Sequence, residues 1–498
     1  MSRLIQITIP SEAAGKRLSV YLAEAGYPLT ADCGGRGTCG KCRVTVLSGS
    51  FAADPNGTTA VMPNSEGQIL ACHAWCGHQQ AVILLPVSEG QGLTIDTTGS
   101  TVVDISSCGV ALDIGTTTLA AALVSLESGA ILRTVSRLNP QKSFGADVMS
   151  RIGAVMANES NLPIMQTLLL DAVRLMIYEL TNGKAVSRMT VAGNPTMLHL
   201  FCGISPVGMG AYPFTPAFTH AKTLTGAELD LPVGTVTLLP SISAFIGGDI
   251  TAGMLAQEIT DHDEPVLLVD MGTNGEMILY TGQNHGSKLY GTSTAAGPAL
   301  EGAGISTGVG GISGAVCGVK FNGLSTQTKT IDNQPPIGIC GSGLIDLIAV
   351  LLQRGLIDET GYLEEDPFPY AEDLTLTGGD IRAFQLAKSA LRAGMEVLCE
   401  TAGISPHELS RIYIAGGLGY YMDINSAVAV GLLPDCPRQH MISVGNTSLT
   451  GATMALCDPS LIERAACDAA LCEIVELNLS PSFNDKFMEY MMFPYGDD

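Results

Sequence analysis

Cys33, Cys39 and Cys42 lie in one short run, Cys33-Gly-Gly-Arg-Gly-Thr-Cys39-Gly-Lys-Cys42, and Cys72 follows in Ile-Leu-Ala-Cys72. Thiolates grouped this way outside a disulfide scaffold point to metal or redox chemistry. The spacing is C-x5-C-x2-C with a distant fourth cysteine, one residue longer in the first gap than the plant-type [2Fe–2S] run. Three thiolates in one tight loop wrap one side of a two-iron cluster, and a fourth from across the fold closes it. Four-cysteine zinc sites pair two short knuckles, and only one short pair is present. The expected cofactor is therefore a [2Fe–2S] cluster on Cys33, Cys39, Cys42 and Cys72. Gly34, Gly35, Gly37 and Gly40 let the backbone approach the sulfurs. Cys76 is expected to be a bystander. Gly35-x4-Gly40-Lys41-Cys42 resembles a phosphate loop but has Cys where a hydroxyl would hold Mg²⁺, and no helical run follows. Arg36, Lys41 and Arg43 place cations near the cluster, where they favour its reduced form and suit an acidic partner.

A second chemistry sits further along. Asp113-Ile-Gly-Thr-Thr-Thr118 puts a carboxylate at a strand end, then a turn rich in N–H groups and hydroxyls. Gly115, Thr116 and Thr117 can cradle phosphate while Asp113 holds Mg²⁺. Asp270-Met-Gly-Thr-Asn repeats the arrangement with Gly272, Thr273 and Asn274. Both turns stand between two apolar strands, so the chain carries an internal echo of two related halves. Ala415-Gly416-Gly417-Leu-Gly419 offers a bare backbone on which adenine or ribose can lie. Two such turns followed by the late glycines, in this order, indicate an ATPase core of the actin type. Asp249 in Gly247-Gly-Asp-Ile-Thr-Ala-Gly253 is either a water-orienting carboxylate or the N-cap of a helix over 250–258. Gly338-Ile-Cys-Gly-Ser-Gly343 reads as a connecting turn between the halves, and Gly297 to Gly314 as a mobile loop. Cys457, Cys467 and Cys472 read as core or surface thiols on a helical stretch.

The elements that must position these residues follow from periodicity. Residues 2–10 alternate as a strand, 17–25 form a short helix, and 43–49 and 82–86 are strands. This is a small sheet crossed by one helix. Residues 88–108, rich in Ser, Thr and Gly, form a linker. Beyond it, 110–124 and 266–280 read as strand–turn–strand, 161–180 as an amphipathic helix, and 188–194 and 411–419 as strands ending in turns. Strands alternating with helices mean an α/β architecture.

Charge draws the same border. Residues 1–95 hold six basic and six acidic side chains, so the whole formal charge of −23 falls on 96–498. That balance argues against a nucleic-acid partner. There is no long apolar run for a membrane and no leader-like start, so a cytoplasmic setting is expected.

The cluster loop, both Asp-x-Gly-Thr turns and several further stretches resemble the ATP-dependent reductive activators of corrinoid proteins. Those stretches are Asn139-Pro-Gln, Phe144-Gly-Ala-Asp147, Val191-Ala-Gly-Asn194 through Phe201, Pro213-Phe-Thr-Pro216 and Gly247 to Gly253. The resemblance implies an α+β, β-grasp ferredoxin-like domain (1–88), a linker (89–108) and a large α/β actin-like ATPase domain (109–498). The latter is of the ASKHA class, a duplicated RNase H-like fold with halves near 109–250 and 251–498. It implies an ATP-hydrolysing iron–sulfur reductase that returns a corrinoid protein from Co(II) to Co(I). Asp113 and Asp270 would serve Mg-ATP, and an upstream low-potential donor would supply electrons; a homodimer is left open. Longer members carry an extra middle domain between linker and ATPase, which this chain is expected to lack. The alternatives are an ASKHA-type small-molecule kinase with a redox-sensing cluster, and a plain electron-transfer protein with a degenerate ATPase half. The related activators of radical dehydratases lack a ferredoxin domain, which disfavours them.

Overall fold

The computed structural model describes residues 3–25, 27, 29, 37, 40, 42–87, 104–322 and 325–494. Cys33, Cys39, Arg36 and Lys41 lie outside the described residues, as does the linker up to residue 103. The chain forms two compact units, Met1–Leu238 and Leu239–Asp498. Among the described residues no helix is long and apolar enough to cross a membrane.

The first unit begins with a four-stranded sheet in the order Arg3–Ile9, Ala81–Val87, Arg43–Ser48, Gln68–Leu70. One face of each strand is apolar, and Ile9, Val44, Ile69 and Ile83 bury against Leu18 and Leu22 of the helix Leu18–Glu24. That helix is the only one crossing the sheet among the described residues, which is the arrangement its alternating and helical patterns predict. Val20 and Ala23 on the same helix also join the apolar cluster of the α/β half that follows.

That half is a six-stranded sheet ordered Lys222–Thr225, Val233–Leu238, Val186–Gly193, Cys108–Ile114, Thr118–Ser125, Ile131–Leu138. Val233–Leu238, Val186–Gly193 and Cys108–Ile114 run parallel, and Thr118–Ser125 and Ile131–Leu138 continue from them as an antiparallel meander. Six of the seven residues of Cys108–Ile114 are buried, as a strand covered on both faces must be. The helix Asn161–Thr181 supplies part of that cover and ends on Asn182 at φ 53°, a left-handed stop.

The second unit repeats the plan. Its sheet runs Met441–Gly445, Arg411–Ala415, Val266–Met271, Gly275–Tyr280, Leu289–Thr294, Cys472–Ile474. The first three strands are parallel and the next two form an antiparallel meander. The echo between the two Asp-x-Gly-Thr turns is thus an echo of whole sheets: each turn leaves a strand with a parallel neighbour on one side and an antiparallel meander on the other.

Candidate functional site

In the small sheet, Arg43 pairs with Leu70 and Val44 with Ile69. This register carries Cys42, just before one strand, to Cys72, just after the other. The Ala71 N–H donates to the Cys42 carbonyl at 2.9 Å, and the two Sγ atoms are 3.3 Å apart and buried. Two sulfurs this close, from separate segments, fit two ligands of one iron. The neighbouring Cys72 sulfur lowers the Cys42 thiol to about 6 against the opposing effect of burial, which favours the thiolate a metal needs. Gly37 and Gly40 sit at φ +76° and +69°, and a Cβ on Gly37 would lie 2.7 Å from His73 Nε2; glycine is required at both positions. Cys76 lies on the strand Trp75–Cys76, and burial pushes its thiol up to about 11. Arg43 is exposed, while Arg17 stacks its guanidinium over Trp75 at 4.5 Å.

The first α/β turn is tight. The Gly115 N–H bonds the Thr118 carbonyl at 3.0 Å, and a Cβ on Gly115 would stand 2.5 Å from that oxygen. Asp113, half-buried, closes the central strand opposite Ala120 and beside Ala192. Around the turn gather Asn139 and Asn194, from two of the stretches quoted above, and Arg151, four residues beyond a third. Asn139 Nδ2 donates to the Gly115 carbonyl at 2.9 Å, Asn194 Nδ2 to Thr116 Oγ1 at 2.9 Å, and Arg151 Nη2 to the Thr116 carbonyl at 2.5 Å.

In the second unit, the Gly272 N–H bonds the Asn274 carbonyl and the Gly297 N–H bonds the Thr273 carbonyl. Thr273 Oγ1 donates to Glu301 Oε2 at 2.6 Å. Parallel pairing sets Asp270 beside Ala415, and Gly416 follows at φ +94°. Nothing within 4 Å would meet a Cβ on Gly417, which leaves its face open. Asp270 lies opposite Glu276 in the hairpin. Burial, then the charges of Asp249 and Asp270, push the Glu276 carboxyl well above the usual carboxylate range. The charges of Asp249 and Asp270 are thus felt at Glu276, although among the described residues no three such side chains stand close enough together to hold a metal ion.

Several expectations change. The helix after Gly247 runs Gly248–Ala256 with Gly247 at the N-cap position. Asp249 is inside the first turn, where its Oδ1 accepts from the Ile250 N–H, so it is not the cap. Gly338 to Gly343 is not a connector between halves. It is the strand Gly338–Ile339 leading into the helix Gly341–Gln353 within the second unit, and a Cβ on Gly341 would clash with the Leu300 carbonyl at 1.9 Å. The stretch Gly297 to Gly314 is tied down rather than loose. The Ser306 N–H and hydroxyl bond Asp380 at 2.7 and 2.6 Å, and Thr307 Oγ1 meets Tyr370 Oη at 2.7 Å. Glycine count alone suggested freedom; buried side-chain anchors remove it. Cys457 and Cys467 lie on two different helices and Cys472 on the edge strand, its thiol pushed up to about 12 by burial. Arg151, Glu276 and Glu301 had no assigned role in the sequence. The signal for the first was present, since it lies close to Asp147 in a motif-rich stretch.

Comparison with known families matches residues 5–76 to the 2Fe-2S iron-sulfur cluster binding domain. Residues 108–262 match the RACo middle region, and 264–498 the C-terminal domain of RACo, the ASKHA domain. A region by the name of the middle domain expected to be missing is thus present, as the first α/β half. The corrinoid activation enzyme RamQ of Eubacterium limosum is 34% identical over 428 residues, covering 78% of this chain and 70% of that protein. The [Co(II) methylated amine-specific corrinoid protein] reductase of Methanosarcina barkeri is 27% identical over 398 residues, 71% of each. The solved structure of a reductive activator for corrinoid, iron-sulfur protein superposes with a TM-score of 0.73 at 27% identity, covering 99% of this chain and 97% of that one. The fold is accordingly a ferredoxin-type [2Fe–2S] domain followed by an actin-like, ATP-binding ASKHA body, and the chain belongs to the RACo family.

Proposed function

We propose that this chain is an ATP-driven reductive activator that returns the inactive Co(II) form of a corrinoid protein to Co(I) by a single electron. The observation that carries this reading is the joining, in one chain, of a ferredoxin-type cysteine set to a duplicated ATPase fold, along a length shared with a corrinoid activation enzyme. On this reading residues 1–88 form the cluster domain, 89–108 the linker and 109–498 the ATPase.

The cluster, held by Cys33, Cys39, Cys42 and Cys72, supplies the electron when bound. A plant-type cluster sits at roughly −400 mV, and Co(I) demands a lower potential, so transfer is uphill and ATP is coupled to it. Gly115, Thr116 and Thr117 offer N–H groups and hydroxyls that suit phosphates, and Gly272, Thr273 and Asn274 offer the same chemistry. Asp113 and Asp270 are the carboxylates that would serve Mg²⁺, which would neutralise phosphate charge, and Asp249 would orient the attacking water. Gly416 and Gly417 accept the nucleoside. Nucleotide turnover changes the activator's grip on the corrinoid partner, and a low-potential donor reloads the cysteine site.

Replacing Asp113 by Ala tests the coupling. The variant should keep the cluster's visible absorption yet lose ATP-dependent cobalt reduction. Unchanged reduction in the presence of ATP would remove ATP from the mechanism. A phosphorylated small-molecule acceptor formed from ATP would replace the activator reading with that of a kinase.

A further inference from the structure

Arg151 is completely buried. It lies on the helix Val148–Ala157, whose N-terminus is fixed by Asp147 Oδ1 accepting the Ser150 N–H at 2.7 Å. Its guanidinium is spread over four acceptors. Nη2 reaches the Thr116 carbonyl at 2.5 Å, Nε the Gly145 carbonyl at 3.1 Å, and Nη1 both Met197 Sδ at 3.0 Å and Gln141 Oε1 at 3.4 Å. Gly145 can offer its carbonyl this way because it sits at φ +156°, with Ser150 Cβ only 2.3 Å from where a side chain would start.

The consequence falls on the Thr116–Thr117 peptide. In a trans peptide the C=O and the next N–H point in opposite directions. A Thr116 carbonyl held toward buried Arg151 therefore turns the Thr117 N–H to the opposite side of the peptide, away from the guanidinium; Thr117 itself is an exposed residue. The Thr116 hydroxyl is oriented in the same sense. Asn194 Oδ1 accepts the Met197 N–H at 3.0 Å, which fixes its amide so that Nδ2 is the donor to Thr116 Oγ1 at 2.9 Å. With its oxygen accepting there, the Thr116 hydroxyl proton is directed elsewhere. A buried guanidinium one hydrogen bond behind the turn acts on it through a low dielectric.

We infer that Arg151, together with Asn194, is a positioning residue that fixes the Thr116–Thr117 peptide as a set of donors for the phosphate chain of the nucleotide. This rests on the reading that the Asp113–Thr118 turn binds that chain. It assigns one purpose to three separate stretches: Asn139 fastens Gly115, Gly145 to Arg151 fastens the Thr116 carbonyl, and Asn194 to Met197 fastens the Thr116 hydroxyl and supports the guanidinium.

The test compares ATP with adenosine, which has no phosphate, in calorimetric binding to the full-length, cluster-loaded protein. Arg151→Met should weaken ATP about tenfold or more, the scale of a lost charged hydrogen bond, and leave adenosine within about twofold. Arg151→Lys should recover part of the loss. Equal weakening of ATP and adenosine, or no change in either, would overturn the inference. If Arg151→Met does not fold, Asn194→Ala carries the same comparison, and unchanged ATP binding by that variant overturns it. Failure of the underlying reading looks different: wild-type protein would not bind ATP, or Asp113→Ala would bind it as well as wild type.

Discussion

A Cβ placed on Gly416 would stand 2.8 Å from Oδ1 of Asp270 and 2.9 Å from the Met271 carbonyl. A side chain at Gly416, proposed above to accept the nucleoside, would therefore press on the Asp270 carboxylate of the proposed second phosphate turn. Gly416 has φ +94°, which disfavours any side chain by about 1–2 kcal/mol before the contact is counted. Gly416→Ala should displace Asp270 and lower ATP hydrolysis by about tenfold or more. Gly310→Ala is the control, since nothing within 4 Å would meet its Cβ and its φ is not positive. Equal activity of the two variants would show that the contact has no bearing on hydrolysis.

The cysteine assignment makes a graded prediction. Cys42→Ser and Cys72→Ser should each abolish the visible absorption and the reduced-state EPR signal of the cluster. Cys76→Ala should retain both, because Cys76 is a buried thiol held protonated. A cluster that survives Cys72→Ser but not Cys76→Ala would exchange the two.

Asp270 and Glu276 face each other in the second hairpin, and burial with the nearby charges pushes the Glu276 carboxyl upward. Burial and the neighbouring charges favour the neutral form of Glu276, so Glu276→Gln should keep hydrolysis within about threefold. Asp270→Asn should cost about 100-fold, the scale of a lost electrostatic contact at a reacting centre. Chelation of Mg²⁺ should abolish turnover in wild type. Losses of equal size in the two variants would place a working carboxylate at Glu276.

Lys388 anchors the chain's C-terminal segment. It is fully buried, donates to the Tyr490 and Met492 carbonyls at 2.6 and 2.7 Å, and lies 4.8 Å from the Phe493 ring. Burial first, and Arg392 second, lower its pKa from 10.5 to about 7. Between those values the unfolded chain binds a proton that the folded chain does not, so stability should rise with pH across that window. Denaturant midpoints measured from pH 7 to 9.5 should climb in wild type and climb less in Lys388→Met. Parallel slopes would contradict this assignment.

Much of the architecture was legible because its signals are local. Strands such as Val266–Met271 read as unbroken apolar runs, and each Asp-x-Gly-Thr turn marks itself by residue type. What stayed hidden depends on register and distant packing. The nearness of Cys42 to Cys72 comes from the Arg43–Leu70 pairing. The order in Gly297 to Gly314 comes from Asp380, far along the chain. Arg151 reads as an ordinary helical arginine until its helix is laid against the Thr116 carbonyl. Asp249 misled in the other direction: an acid after two glycines looks like a cap, but the helix starts two residues earlier than that reading needs.

The central claim is that ATP drives one-electron reduction of a corrinoid partner by this chain. The direct measurement is anaerobic: reduced, cluster-loaded protein is mixed with a Co(II) corrinoid protein co-expressed with it, and the absorption spectrum is followed before and after Mg-ATP is added. The account predicts that the Co(I) spectrum grows in only after ATP, and that Asp113→Ala prevents it. Co(I) formed at the same rate without ATP, or no Co(I) with any co-expressed corrinoid protein, would contradict it.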